Sequence, residues 1–140
     1  MNRERKRSTM AELAPFLMFQ KGEAAEAMTF YTSLFPDDAV LSDQRYGPEG
    51  PGGEGTVVMA EFTVAGRRIR CSDSPVAHDF EFTPSLSLFV ICDSQEQLQR
   101  VYGALVDGGT ALMPLDDYGF GPFGWVNDRY GVSWQLNVPA

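Results

Sequence analysis

One sequence pattern occurs twice in this chain and constrains the fold more than any other feature. The first copy, APFLMFQKGEAAEAMTFYTSLFP, reads as a short apolar strand over 16–19 and then a helix with a buried stripe. The second copy, LSLFVICDSQEQLQRVYGALVDGG, repeats this order. The stripe of the first helix consists of Ala24, Ala27, Met28, Tyr31 and Phe35. Apolar positions correspond between the copies: Leu17 with Leu88, Phe19 with Val90, Tyr31 with Tyr102, and Leu34 with Leu105.

Further strands are predicted after each helix. They cover 39–46, 56–64 and 67–72 in the first unit, and 110–115, a glycine-rich hairpin over 118–126, and 131–138 in the second. The alternation in TVVMAEFTV predicts four core residues on one face: Val58, Ala60, Phe62 and Val64. The segment 86–92 has little polar alternation, which indicates a strand covered on both faces. The sequence therefore predicts an α+β protein with two tandem β-α-β-β-β units.

The chain is predicted to form a single domain. Its 140 residues, 44% of them hydrophobic, can bury about two-thirds of their unfolded surface in one core. Residues 1–12 read as a disordered extension and 13–140 as the domain. Within the domain, the first unit takes 13–74, a linker 75–83 and the second unit 84–140.

The charge of the chain disfavours two classes of partner. The formal net charge is -8, and four of the eleven basic residues lie in the first seven positions, so the domain itself is more acidic than the total. Nucleic acid and anionic membranes are therefore not expected partners. No apolar run approaches the ~18 residues of a membrane span or follows the basic start as in a signal peptide, so a cytoplasmic location is expected. Cys71 and Cys92 lie in predicted strands and are interpreted as buried thiols.

One glycine motif, over 119–124, spells G-x-G-x-x-G. A dinucleotide site of this kind needs a preceding strand and a helix that begins at the last glycine. Pro122 and the aromatic residues on both sides predict a hairpin instead, so no cofactor is expected. Phe120, Phe123 and Trp125 lie on this glycine-rich stretch and are candidates for lining a ligand pocket.

Three titratable residues are candidates for catalysis. His78 is the only histidine, and it reads either as a general base or single ligand or as an ordinary linker residue. Asp73 reads as a catalytic carboxylate or as the cap of its own turn. Glu61 lies on the less apolar face of its strand and points either into a cavity or to solvent.

Several motifs together resemble a known family. The duplicated unit, EAMTFYTSLFP, SDSP, FTPSLSLFV and DRYGVSWQL look like the vicinal oxygen chelate superfamily of glyoxalases and bleomycin-resistance proteins. Within it they resemble the PhnB-like branch, sometimes catalogued as 3-demethylubiquinone-9 3-methyltransferase domains. The resemblance covers residues 15–139. It implies the glyoxalase/bleomycin resistance fold, in which two modules curl into a cup-shaped mixed sheet with a concave ligand site, and it implies a homodimer.

In metal-using members, the resemblance implies ligands on the first and last strands of each module. Carried onto this chain, with the last strands aligned on their preceding glycines, these positions fall at Phe16, Arg70, Ser87 (or Ser85 on the same face) and Gln135. This set lacks the carboxylates or imidazoles that divalent metals need, so no metal is expected. Arg70 offers a fixed positive charge for a carboxylate or phosphate instead.

The first hypothesis for function is a metal-free module that binds a small organic or anionic molecule and is closed by homodimerisation. Its predicted ligand-binding residues are Arg70, Ser72, Ser87, Gln135, Phe120, Phe123 and Trp125. The alternative is a lyase, isomerase or dioxygenase-type enzyme of the glyoxalase superfamily with a non-standard site built from the three titratable candidates. A third interpretation is a structural dimer with a filled cup.

Overall fold

A computed structural model of the protein describes residues 10–140, so residues 1–9 of the predicted N-terminal extension lie outside the described part. The elements follow the order predicted from the repeat. The first unit contains β1 (Phe16–Phe19), α1 (Ala24–Tyr31), β2 (Val40–Arg45), β3 (Val57–Val64) and β4 (Arg67–Asp73). The second unit contains β5 (Leu88–Ile91), α2 (Gln95–Val106), β6 (Thr110–Asp117), β7 (Pro122–Asn127) and β8 (Ser133–Asn137).

Each unit forms its own four-stranded mixed sheet. Sheet 1 has the order β1-β4-β3-β2, and sheet 2 has the order β5-β8-β7-β6. In both sheets the strand before the helix pairs in parallel with the last strand of the unit, and the other pairs are antiparallel. This arrangement confirms the predicted α+β fold with two tandem β-α-β-β-β units. No helix in the part described, residues 10–140, is long and apolar enough to cross a membrane.

The two faces of each sheet differ in burial. The inner face carries the buried residues of the strands, such as Phe62, Cys71 and Leu136, which join the helices in one core. The opposite face, called here the outer face, carries the residues between them, such as Glu61 and Gln135. Because side chains alternate along a strand, the pairing register decides which residues meet on each face.

The predicted helical stripe is confirmed. Four of its residues are buried on α1, and Phe35 is buried just beyond the helix. Helix α2 begins with a side-chain cap, in which the Ser94 hydroxyl accepts a hydrogen bond from the Gln97 N–H at 3.1 Å. The side chain of Gln97 accepts in turn from the Asp93 N–H, one residue before the usual position. Gly108 then adopts a φ of +78°, which ends the helix in the left-handed conformation expected of glycine.

Two strands differ from the prediction. The pairing of β2 with β3 shifts by one residue near Gln44, and this bulge turns Val57 rather than Val58 into the core. Strand β5 is covered on one face only, since Phe89 and Ile91 are 55% and 67% exposed. Its continuous apolar sequence therefore combines a core face with an exposed apolar face.

A buried carboxylate joins the two units. Asp128 is 3% exposed, and its Oδ2 accepts hydrogen bonds from the Tyr31 hydroxyl at 2.5 Å and from the Trp134 Nε1 at 2.9 Å. Its Oδ1 accepts from the backbone N–H groups of Tyr130 and Val132. Burial, together with the neighbouring carboxylate, raises the pKa of Tyr31 well above its ordinary value. The helix of the first unit is thus tied to the last loop of the second.

Candidate functional site

The outer face of sheet 2 brings together several predicted ligand-binding residues. The strand register places Phe89, Gln135 and Trp125 side by side in one row across β5, β8 and β7. The Gln135 Nε2 donates to the Ser87 Oγ at 3.2 Å, and that hydroxyl shares a hydrogen bond of 2.7 Å with the Ser133 Oγ. The Trp125 Nε1 also donates to the Ser133 Oγ, at 2.8 Å. These bonds hold the Gln135 amide between two aromatic side chains.

An aromatic cluster adjoins this row. The Phe123 ring lies 5.3 Å from the Phe120 ring, 6.1 Å from the Tyr118 ring and 6.4 Å from the Phe89 ring. Phe120 is half exposed although it packs in the cluster. The Asn137 side chain donates to the Phe120 carbonyl oxygen at 3.3 Å and so fastens the hairpin to β8. The result is an open apolar surface with one anchored amide beside it.

The outer face of sheet 1 is charged. Arg70 pairs across the strands with Phe16 on one side and Glu61 on the other, and its Nε lies 3.4 Å from the Glu61 Oε2. Arg68 lies 4.0 Å from the other oxygen of the same carboxylate. Ser72 is two residues from Arg70 on the same face. The Glu61 carboxylate therefore forms an ion pair beside solvent, and its side chain is 17% exposed.

The register changes one correspondence between the two units. Leu17 lies opposite Cys71, and its repeat partner Leu88 lies opposite Trp134. One step further along the strands, Ser72 is therefore the counterpart of Gln135. Aligning the last strands on Gly66 and Gly131 instead makes Arg70 the counterpart of Gln135. The turns before β4 and β8 differ in length, so these two glycines are not equivalent.

The residues predicted for one site divide between the two sheets. Ser87, Gln135 and Trp125 share a hydrogen-bonded network, and Phe120 and Phe123 adjoin it. Arg70 and Ser72 lie on sheet 1, and within residues 10–140 no hydrogen bond or ion pair joins them to this network. A cleft of about 240 Å³ lies between the units and is lined by Phe16 and Leu17 of β1, by Ser87, Leu88 and Ser133 of sheet 2, and by Phe82, Thr83 and Leu86 among others.

His78 lies away from this network, on the linker. Its Nε2 is 3.1 Å from the Ser74 Oγ, and its ring stacks on Phe80 with 4.9 Å between the ring centroids. It lines a pocket of about 200 Å³ that also contains Glu23 and Glu81. Burial raises the pKa of Glu23 above its ordinary value.

Asp73 has a different role from the turn cap predicted for it. Its carboxylate is buried, and it accepts hydrogen bonds from the backbone N–H of Ala24 and from that of Val57, both at 2.9 Å. The turn is capped by Ser74, whose hydroxyl accepts from the Val76 N–H. Asp73 therefore joins the start of α1 to β3. It lies on the inner face, whereas Glu61 lies on the outer face, so the three titratable candidates occupy three different places.

The prediction missed two residues of the sheet 2 surface. Ser133 follows from strand alternation, because it lies two residues before Gln135 on the same strand. Phe89 was assigned to a covered strand, and only the finished sheet shows that its face is open.

The positions implied for metal ligands do not fit a metal ion. Phe16 and Arg70 lie opposite each other, and the equivalent pair in sheet 2 consists of Ser87 and Ser133. The next step along the strands gives Ser72 and Gln135 without adding a carboxylate or imidazole. Among residues 10–140, no three histidine, cysteine, aspartate or glutamate side chains lie close enough together to hold a metal ion.

The fold defines the class of protein: two tandem units with the glyoxalase/bleomycin resistance architecture. A glyoxylase/bleomycin resistance protein/dioxygenase domain from Frankia sp. EAN1pec shares it, with 16% sequence identity, a TM-score of 0.62, and coverage of 94% of this chain and 98% of that chain. TnmS3, an antibiotic binding protein from Streptomyces sp. CB03234, matches with 15% identity, a TM-score of 0.51, and coverage of 93% and 98%. At these identities the similarity shows the fold alone.

Sequence similarity identifies the family. The family described as 3-demethylubiquinone-9 3-methyltransferase matches residues 11–137. A solved structure described as a putative 3-demethylubiquinone-9 3-methyltransferase, PhnB protein, from Bacillus cereus is 50% identical, with a TM-score of 0.88 and coverage of 91% of this chain and 99% of that chain. The chain therefore belongs to this PhnB-like family, as the sequence motifs predicted. Among the curated proteins that were searched, none matches.

Proposed function

We propose that this protein binds a small organic molecule through side-chain contacts, without a metal ion, on the outer face of sheet 2. The observation that carries the proposal is the Gln135 amide, which is fixed by Ser87 and flanked by Phe89 and Trp125. Ligand sites typically combine apolar walls with a few fixed polar groups. A preset amide also loses little conformational entropy when a ligand binds.

The composition of this face indicates the chemical class of the ligand. The row of Phe89, Gln135 and Trp125 is uncharged, and the cluster around Phe123 offers flat apolar surface. The Gln135 Nε2 uses one N–H on Ser87, which leaves its carbonyl oxygen and its second N–H for a ligand. A planar aromatic compound with a neighbouring hydrogen-bond donor and acceptor, such as a lactam or carboxamide, fits this pattern.

Homodimerisation is the second part of the proposal. Arg70 and Ser72 lie on the outer face of sheet 1, and nothing in one described chain links them to the Gln135 network. A second copy that covers the outer faces would complete the site with the Arg70 guanidinium, which makes one ion-pair contact of 3.4 Å and is 54% exposed. Apolar residues on these faces, among them Phe16 and Phe89 at 47% and 55% exposure, support such an interface.

Two further observations agree with binding rather than methyl transfer. The G-x-G-x-x-G segment ends inside strand β7, and no helix begins at its last glycine, so it lacks the geometry of a dinucleotide-type phosphate site. One protein of the same fold is described as an antibiotic binding protein, which is also a small-molecule binder. The enzyme alternative has no comparable support, because its three candidate residues lie apart. The net charge of -8 disfavours nucleic acid as a partner.

The test is a binding assay on the full chain after dialysis against EDTA. Quinolin-2-one, benzamide and naphthoquinone are titrated while the fluorescence of Trp125 is followed; Trp125→Phe leaves the buried Trp134 as the reference signal. Gln135→Leu should weaken the lactam and the carboxamide about tenfold, the cost of one hydrogen bond. Gln99→Leu, an exposed glutamine on α2, is the matched control and should leave binding unchanged.

Four outcomes would contradict parts of the proposal. Binding that appears only after zinc, nickel or iron is added would contradict the metal-free site. An equal loss of probe affinity in the Gln135→Leu and Gln99→Leu variants would contradict the site on sheet 2. The absence of binding by any probe would contradict it as well. Sedimentation of a 15.5 kDa species at low micromolar concentration would contradict the dimer.

A further inference from the structure

A groove of about 1050 Å³ runs along the free edge of β5. One wall consists of the end of the β3–β4 hairpin, 64–69, and the opposite wall consists of β5 with Ser87 before it. Glu12 and Leu13 lie at one side of the groove. The groove shares Ser87 and Phe89 with the proposed ligand site, but Gln135, Trp125 and Ser133 do not line it.

Within residues 10–140, the backbone of β5 is unpaired on the groove side. Strand β5 pairs there only with β8, in parallel, and the N–H of Cys92 just beyond it donates to the Asn137 carbonyl oxygen at 2.8 Å. In a parallel pair, alternate residues direct both backbone groups to the same neighbour. The backbone N–H and C=O groups of Leu88 and Val90 therefore point toward β8. The N–H and C=O groups of Phe89 and Ile91 point away from the sheet, two residues apart.

The opposite wall carries positive charge. Arg67 and Arg68 both line the groove, and within residues 10–140 no carboxylate lies within 4.0 Å of Arg67. Arg68 has only long contacts, 3.8 Å to Glu12 and 4.0 Å to Glu61, and its side chain is 58% exposed. In a chain of net charge -8, this is a local surface that favours an anionic partner.

We infer that an extended acidic peptide segment from another protein binds in this groove and adds to sheet 2 as a fifth strand. Its backbone pairs with Phe89 and Ile91, and its carboxylates contact Arg67 and Arg68. Unpaired edge groups spaced along a strand are the feature that a peptide backbone matches and a compact small molecule does not. The basic segment over residues 1–7 carries the wrong charge for this wall.

The test uses a fluorescein-labelled heptapeptide of alternating aspartate and valine, titrated with the full chain and followed by fluorescence anisotropy at low salt. The same peptide with lysine in place of aspartate should bind at least about tenfold more weakly. Arg67→Glu should reverse this preference. Lys21→Glu changes the net charge equally outside the groove and is the matched control, so it should keep the preference for aspartate.

A second variant tests the backbone contact. Ile91→Pro removes an N–H that points away from β8, so the β5–β8 pairing should remain while peptide binding falls about tenfold. If this variant does not fold, the comparison of Arg67→Glu with Lys21→Glu still tests the proposal. Gln135→Leu should bind the peptide normally, which separates this proposal from the ligand site.

The inference is overturned if the aspartate peptide does not bind. It is also overturned if binding is equal in Arg67→Glu and Lys21→Glu, or if Ile91→Pro folds and binds as the original chain does. If Arg67→Glu and Ile91→Pro change the sedimentation of the chain while no peptide binds, the β5 edge joins two copies, and the peptide proposal fails.

Discussion

Replacing Tyr31 with phenylalanine tests how much the two units depend on each other. The Tyr31 hydroxyl donates to the Asp128 carboxylate at 2.5 Å, and both side chains are buried. A hydrogen bond to a charged group contributes about 1.5–3 kcal/mol. Three donors to Asp128 remain in the variant, so we expect a loss of about 2 kcal/mol of unfolding free energy near neutral pH.

The pH dependence of this loss separates the hydrogen bond from simple packing. Folding raises the pKa of Tyr31, mainly by burial, so the folded state keeps the phenol neutral while the unfolded phenol ionises near pH 10. The stabilisation is fully present below about pH 10 and is lost as pH rises further, by about 1.4 kcal/mol per pH unit. The original chain and Tyr31→Phe should therefore be equally stable near pH ~11.5.

The assay is urea unfolding followed by circular dichroism from pH 7 to 11.5. Tyr102→Phe is the matched control, because Tyr102 is the repeat counterpart of Tyr31 and its hydroxyl has no hydrogen bond to residues 10–140. Its cost near pH 7 should stay below about 0.5 kcal/mol. The reasoning is refuted if Tyr31→Phe costs no more than this control, or if its cost is the same at pH 7 and pH 11.

Three further predictions concern glycines and thiols. Gly109→Ala should lose about 1–3 kcal/mol in urea unfolding, since a Cβ there would lie 2.2 Å from the Asn127 carbonyl oxygen; a loss under 0.5 kcal/mol would contradict this contact. Gly103→Ala, inside α2 with no atom within 4 Å of the added carbon, should gain about 0.5–1 kcal/mol, and a loss would contradict the open space found there. Burial raises the pKa of Cys71 to about 12 and that of Cys92 to about 11, so Ellman's reagent at pH 8 should find no fast thiol in the folded protein and two in urea; a fast thiol before urea is added would contradict their burial.

The order of elements was predictable because the relevant signals are local. The apolar stripe around Tyr31 and the cap at Ser94 each depend on residues close together in sequence. The repeat then fixed the fold class, since the same pattern must form the same unit twice. The bulge that buries Val57 was not predictable, because it arises in the pairing with β2 and leaves the alternation in sequence unchanged.

The candidate site was predictable only where strand alternation decides it. Gln135 and Trp125 follow from alternation, and their shared row follows from the register. The role of Asp73 was not predictable, because its partners Ala24 and Val57 lie 49 and 16 residues away in the chain. The exposure of Phe89 was also hidden, since an apolar residue on an open face has the same sequence signature as one in a core.

The two outer faces have diverged in chemistry although their backbones remain copies of one unit. In sheet 1 the position beside Phe16 holds Arg70 and its partner Glu61, whereas the equivalent position in sheet 2 holds Ser133, bonded to Ser87. A divalent metal ion between the two units needs carboxylate, imidazole or thiolate donors, whereas these positions offer a guanidinium on one face and hydroxyls on the other. A molecule with a neutral aromatic body and an anionic group matches both faces, provided that a second copy brings the charged face of one chain to the neutral face of the other.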